Sequence, residues 1–404
     1  MKLISIPESK FDNYRLDVIF NGYKWDPQFL DNGTIAKHVL VITQKEHEEL
    51  ETLTEKLDKE TRHSEEMINS NIKLAKPLEL LGKINHEINK MKNYQADKHI
   101  RLTRYDFHPI EEDDKWAISE VNSDVPGGFA EASLMPEIAA KLLKNENYKY
   151  KKFSDSLADA IVKKAKPGGK IAFIHCTSYS DDRQVMQFVG DMLKNTGFKT
   201  VYAAADHLRF ENNEAICILS GNEGNVDAII RFTPLEWLVS MKPKRWGGYF
   251  DTVTLSCNHP IAIFSQTKRF PFIWESLEKQ GIDLSTWRKL LPETLEVKDI
   301  KNRDGYIFKP VYGRVGERIS IKEACQGDEY EKILRDVKRN KEKYIAQKKF
   351  NSKAVISEEN EKYHVCLGSY CIDGKAAGYY ARMSTKPRID SGAADIPVLI
   401  EKSN

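Results

Sequence analysis

No stretch of this sequence is apolar for long enough to cross a bilayer, which takes about 20 consecutive apolar residues in a helix. The opening, M-K-L-I-S-I-P-E-S-K, is too short an apolar run for a secretory signal. Neither sign of charge is in excess: Lys plus Arg number 62 against 60 for Asp plus Glu. That balance argues against a nucleic-acid coat or a membrane-surface protein, so no nucleic-acid or membrane partner is expected. The six cysteines, at 176, 217, 257, 325, 366 and 371, form no C-x-x-C pair. Thiols of a reducing cytoplasm are expected rather than a zinc site or a disulfide framework. Neither G-x-x-x-x-G-K-[ST] nor G-x-G-x-x-G occurs, so the familiar mononucleotide and dinucleotide fingerprints are absent. There is no internal repeat and no low-complexity linker, which favours closely packed domains over tethered ones.

What is present is a pair of short segments, R-Y-D at 104–106 and S-E-V-N at 119–122. Arg104 and Asp106 are two residues apart, and so are Glu120 and Asn122. Strand side chains repeat every two residues, so each pair shares a face. The intervening F-H-P-I-E-E-D-D-K is rich in turn formers and charge, which predicts a hairpin over 101–123. One face then carries an arginine, two carboxylates and an amide oxygen. Such hard oxygen donors suit magnesium that also holds phosphate oxygens. A structural ion-pair cluster around Arg104 is the alternative reading.

Around the hairpin, residues 1–40 read as short strands and loops about Y-K-W-D-P-Q at 23–28. From Thr43, Leu50, Leu53 and Leu57 recur at helical spacing among Glu and Lys, predicting an amphipathic helix to about residue 70. Pro77 is expected to open a second helix to about Lys92. After the hairpin, D-V-P-G-G-F-A-E-A is a glycine turn feeding a helix. Residues 170–204 read as strand–helix–strand, and D-A-I-I-R-F at 227–232 as a further strand of a parallel α/β layer. Y-I-F-K-P-V-Y-G-R-V-G-E-R-I-S-I at 306–321 has the outline of strand, glycine-bearing turn and second strand, followed by a strand in K-Y-I-A-Q-K-K-F at 343–350.

Some of these pieces carry chemistry. Gly313 and Gly316 allow the backbone to bend and approach a ligand, and Lys309 and Arg314 add the positive charge a triphosphate needs. A hairpin with surface charges is the other reading. Asp181 and Asp182, at the mouth of the α/β layer, either cap their helix or receive a cationic substrate. Arg382 lies on a strand after the I-D-G-K turn, and Lys268 lies in Q-T-K; alone, both are ordinary. His175 at a strand end reads as a core histidine.

Taken in order, W-D-P-Q (25–28), R-Y-D (104–106), E-V-N (120–122), Q-T-K (266–268), L-L-P-E (290–293), K-P-V-Y-G-R-V-G (309–316), A-Q (346–347) and G-K-A-A-G-Y-Y-A-R (374–382) resemble the synthetase domain of the glutathionylspermidine synthase family. The resemblance runs almost the full chain. It implies a mixed α/β ATP-grasp fold in permuted order, with an inserted pre-ATP-grasp-like α/β layer. The expected division is 1–135 (helical region and metal hairpin), 136–254 (α/β layer) and 255–404 (ATP-binding lobes). It further implies ATP and magnesium, two ions of it, and a ligase joining a carboxylate to an amine through an acyl phosphate. Asp106, Glu120 and Asn122 would bind metal. Lys268, Lys309, Gly313, Arg314, Gly316 and Gln347 would bind ATP. Arg104 and Arg382 would stabilise the transferred phosphoryl group, and Ser123, Asp181 and Asp182 would meet the substrates: a small or short-peptide carboxylate and an amine such as a polyamine. A homodimer is an option. There are departures from the pattern. The amidase domain of bifunctional members is not expected among these residues. The segment after E-x-N is S-D-V-P-G-G, in which Ser123 alone offers a hydroxyl, so whether glutathione is the carboxylate stays open. The loop reads G-R-V-G-E rather than G-R-E-G. The alternatives are a peptide or amino-acid ligase with other substrates, and a catalytically silent nucleotide-binding protein.

Overall fold

The computed structural model describes residues 1–30, 32–112 and 115–402. Asp113 and Asp114 of the predicted hairpin turn lie outside them. At the centre is an antiparallel sheet in the order Ala394–Ile396, Lys375–Ser384, Lys362–Ile372, Leu102–Pro109, Trp116–Asn122. The expected hairpin supplies its last two strands. Tyr105, Phe107, Leu367, Tyr379 and Ala381 alternate onto the back of this sheet and are buried there.

The helix Gln44–Ser70 covers that back face. It begins where Thr43 and Glu46 form a reciprocal cap: the Glu46 amide donates to the Thr43 hydroxyl at 3.2 Å, and the Thr43 amide to the Glu46 carboxylate at 2.8 Å. Its Leu50, Leu53 and Leu57 are buried at the predicted spacing, and each leucine taken from water contributes about 1.5–3 kcal/mol. Thr54 donates to the Ser369 hydroxyl at 2.8 Å, which fixes the helix against the sheet.

The α/β layer is a parallel sheet ordered Leu255–Cys257, Ala228–Arg231, Lys170–Ile174, Lys199–Ala203. Its two inner strands, Ala228–Arg231 and Lys170–Ile174, are mostly apolar, as strands covered on both faces are. The helix Ser180–Met192 packs on it through Val185, Met186 and Val189. A third sheet, Thr294–Glu296, Tyr344–Lys348 and Tyr306–Pro310, is antiparallel and backed by the helix Glu329–Arg339 through Ile333 and Val337. A fourth joins both ends of the chain, in the order Lys2–Ser5, His38–Thr43, Val398–Glu401, Tyr148–Lys149. All six cysteines are thiols, and among the described residues no helix is long and apolar enough to cross a membrane.

Three expectations fail locally. Residues 8–20 form a helix, not loops. Its buried stripe is only Tyr14 and Val18, too narrow to show as periodicity. Pro77 does not open a helix: it closes a 3-10 segment, Ile72–Leu78, and left-handed Glu79 (φ 46°) separates it from the helix Gly82–Lys90. The second strand expected at 317–321 does not form. Val315, Gly316 and Arg318 all adopt positive φ (51°, 67° and 55°), which extended strands do not allow.

Candidate active site

The front of the central sheet gathers most of the residues singled out in the sequence. Arg104 donates to both carboxylate oxygens of Asp106 (2.7 and 3.0 Å) and to the Gly127 carbonyl (2.8 Å). The Asn122 side-chain amide donates to Asp106 at 3.0 Å. A bulge in the hairpin sets Ser119 and Glu120 opposite Asp106, so Glu120 stays in front while Ile118 turns into the back core. Gly368 sits beside Asp106 on the next strand, and a Cβ there would stand 2.7 Å from Arg104 Cδ. Glycine is what lets the arginine lie across the sheet. Its guanidinium rests 5.0 Å from the Tyr380 ring. Arg382 is in register with Cys366, two residues from Gly368, and donates to the Ala393 carbonyl at 2.9 Å.

Two lysines come to this face from other elements. Lys268 Nζ lies 2.7 Å from Glu120 and donates to the Gly313 carbonyl at 2.7 Å. Burial alone would push the Glu120 carboxyl up, but Lys268, Lys309 and Arg104 outweigh it and hold it below the usual carboxylate range. Lys309 is 3% exposed and donates to the Ser119 carbonyl at 3.2 Å. Burial, opposed by Glu120 and assisted by Lys268, brings its ammonium down to about 8. In the small sheet Lys309 pairs with Ile345, and Gln347 with Ile307, so period-two alternation puts Lys309 and Gln347 on one side. Gln347 donates to Thr294 at 3.0 Å, while its buried carbonyl oxygen has no partner. Beside it is a cavity of about 30 Å³, walled by Phe270, Trp287, Leu291 and Ile345 and reached by Glu120 and Lys268.

The glycine loop runs from this cavity to the α/β layer. Gly316 presses on the connection between the Lys375–Ser384 and Ala394–Ile396 strands; a Cβ there would stand 2.3 Å from the Ile389 carbonyl oxygen. Arg314 reaches the other way, to Glu236 at 2.7 Å and to Asp124 at 3.7 Å. Arg314 therefore lies at the layer's mouth, not on the sheet face. Asp181 and Asp182 occupy the first turn of the helix at that mouth. The Asp182 carboxylate accepts from the Cys176 amide at 3.3 Å, and burial pushes it up to about 6, against the pull of that bond. Asp181 is exposed. Ser123 is fully buried, donating to the Ala262 carbonyl and accepting from Ser265, so its hydroxyl is spent within the core. His175 is buried, with its ring 3.4 Å from the Phe173 carbonyl.

Four residues at the site carry no signal in isolation. Cys366 lies on the sheet face, with Asp106, Arg104, Glu120 and Arg382 around it; burial and Asp106 push its thiol well above the usual range. Its place could have been found by pairing the Arg382 strand with the one before it. Tyr380, Asp395 and Lys24 form a second row behind the arginines. Among the described residues no group of three or more His, Cys, Asp and Glu side chains is placed to hold a metal ion. Asp106, Glu120 and Asn122 are two carboxylates and an amide, a donor set that suits magnesium arriving with a nucleotide's own oxygens.

The family of glutathionylspermidine synthase preATP-grasp sequences matches residues 12–401. The chain belongs to that family. Among curated proteins, none matches it. A glutathione synthetase-like effector from Globodera pallida, solved in its apo form, shares the fold: TM-score 0.66 at 13% identity, over 98% of each chain. A candidate γ-glutamylcysteine synthetase from Methylobacillus flagellatus KT gives a TM-score of 0.43 at 14% identity, over 85% of this chain and 88% of that one, a likeness too slight to argue from. The mixed α/β architecture is thus that of the ATP-grasp-type ligases.

Proposed function

We propose that this protein is an ATP- and magnesium-dependent ligase that joins a substrate carboxylate to a cationic amine through an acyl phosphate, in the manner of glutathionylspermidine synthases. One observation carries the reading. Arg104, Asp106, Glu120 and Asn122, distant in sequence from Lys268, Lys309 and Arg382, share one sheet face with them.

Adenine fits the small cavity by chemistry: its amino group is a donor, and the Gln347 carbonyl is a buried acceptor without a partner. At about 30 Å³ the cavity holds no more than a water or so, so nucleotide entry must loosen the Lys268–Gly313 contact. Lys268 and Lys309 then exchange protein oxygens for phosphate oxygens. Asp106, Glu120 and the Asn122 carbonyl would hold magnesium, which when bound neutralises phosphate charge. Arg104 and Arg382 supply fixed positive charge where the phosphoryl group passes from ATP to the carboxylate, a transfer that depends on positioning and electrostatics. The amine nitrogen then attacks the acyl carbon, the C–O bond to phosphate breaks, and phosphate leaves. Asp181 and Asp182, in the first turn of the helix at the layer's mouth, would receive the cationic amine.

The test is a screen of small and short-peptide carboxylates with MgATP, using hydroxylamine as a surrogate amine. A carboxylate substrate gives a hydroxamate and ADP in equal amounts. ADP formed at the same rate without any carboxylate, and no hydroxamate from any candidate, would defeat the proposal.

A further inference from the structure

The W-D-P-Q segment has no part in the chemistry above, yet the lysine before it is placed with care. Lys24 is 4% exposed. Its Nζ stands 2.7 Å from Asp395, 3.0 Å from Asp26 and 3.2 Å from Glu131. Replacing buried ion clusters with apolar side chains is often neutral or stabilising, so stability alone is a poor reason for this one.

Asp395 is the hub of the cluster. Its second oxygen accepts from the Tyr380 hydroxyl at 2.7 Å and lies 3.5 Å from Arg382 Nε, which has no hydrogen-bond partner of its own. The Tyr380 ring carries the Arg104 guanidinium, 5.0 Å from its centroid. The ring is also fixed from another side: Gly128 has φ +89°, and a Cβ there would stand 2.6 Å from it. One carboxylate therefore connects Lys24 to both arginines of the sheet face. The closer partner is Lys24. By holding one oxygen of Asp395 at 2.7 Å, it fixes the direction of the other, which meets Tyr380 and Arg382.

We propose that Lys24 is a positioning residue for phosphoryl transfer: it holds Asp395 so that Arg382, and Arg104 through Tyr380, stay aimed at the reacting centre. The inference rests on the ligase reading, in which those arginines face the transferred group. A planar phosphoryl mimic separates the two ideas. The affinity of the whole protein for MgADP is compared with its affinity for MgADP plus fluoroaluminate. Wild type should bind the fluoroaluminate complex more tightly. In Lys24→Met that extra affinity should fall by about 10- to 100-fold, with MgADP affinity within about twofold of wild type. Asp395→Asn cuts the same link at its hub and should show the same selective loss, which covers the case of a poorly folding Lys24 variant. In Lys24→Ala, ethylammonium chloride should restore the extra affinity. Unchanged extra affinity in both Lys24→Met and Asp395→Asn overturns the inference. So does an equal loss for MgADP and its fluoroaluminate complex, the mark of a merely structural role. A wild type that gains nothing from fluoroaluminate instead overturns the ligase reading, and this inference with it.

Discussion

Replacing Lys309 by methionine should make the protein more stable and less able to bind ATP. Lys309 is 3% exposed, and its ammonium is brought from 10.5 down to about 8. A depressed lysine is charged in the fold at a cost: about 2.5 pKa units at 1.36 kcal/mol each, or about 3 kcal/mol at pH 7. Methionine keeps the volume and removes the charge, while Glu120 retains its 2.7 Å pair with Lys268. The lost bond to the Ser119 carbonyl offsets part of the gain, so urea denaturation should show Lys309→Met more stable by about 1–3 kcal/mol at pH 7. The sign with pH follows from proton counts. Between about 8 and 10.5 the unfolded chain still holds the lysine proton and the native chain does not, so wild type gains stability there as pH rises. Wild type gains about 2.5 kcal/mol between pH 7 and pH 10, so the variant's advantage should vanish or reverse by pH 10. Its MgATP affinity, by calorimetry, should fall by about 10- to 100-fold, since a buried charge-assisted bond to phosphate is lost. A variant less stable than wild type at pH 7, or one that binds MgATP as well, would refute the reasoning.

Asp106→Asn and Glu120→Gln should each abolish magnesium-dependent turnover while leaving the circular dichroism spectrum unchanged; wild-type activity in both would remove the metal assignment. Residues 311–316 should exchange amide hydrogen faster without nucleotide than with an ATP analogue, because nucleotide entry must displace the Lys268–Gly313 contact; equal exchange in both states would count against a phosphate loop. Because burial holds Asp182 at about 6, the KM for the amine should rise as pH falls below 6. Asp181→Asn combined with Asp182→Asn should remove that dependence, raise the amine KM and spare ATP affinity, whereas a loss of thermal stability with unaltered amine KM would make them helix caps only.

The site was legible where chemistry and strand period coincide. R-Y-D and E-V-N each place two polar side chains on one face, and a period of two survives the bulge because the extra residue, Ser119, lies before Glu120. The helix from Thr43 was legible because its leucine stripe is broad and its cap is encoded three residues apart. The helix at 8–20 was not, since it buries only two side chains. The missing strand after Gly316 follows from backbone conformations at Val315 and Arg318, residues that seldom take positive φ and so give no warning. Arg314 was expected over phosphates, yet its partners Glu236 and Asp124 come from remote segments and only the fold shows the pairing. Lys24 and Asp395, at opposite ends of the chain, meet only because the terminal sheet brings the ends together.

If the phosphoryl group of ATP passes to a carboxylate oxygen on the face of Arg104, Asp106 and Lys309, a carboxylate substrate labelled with ¹⁸O should carry its label into the released phosphate, read by mass spectrometry. An acyl phosphate transfers one labelled oxygen to phosphate in each turnover that forms amide. Unlabelled phosphate accompanying amide formation would show that the carboxylate was never phosphorylated and would contradict the account.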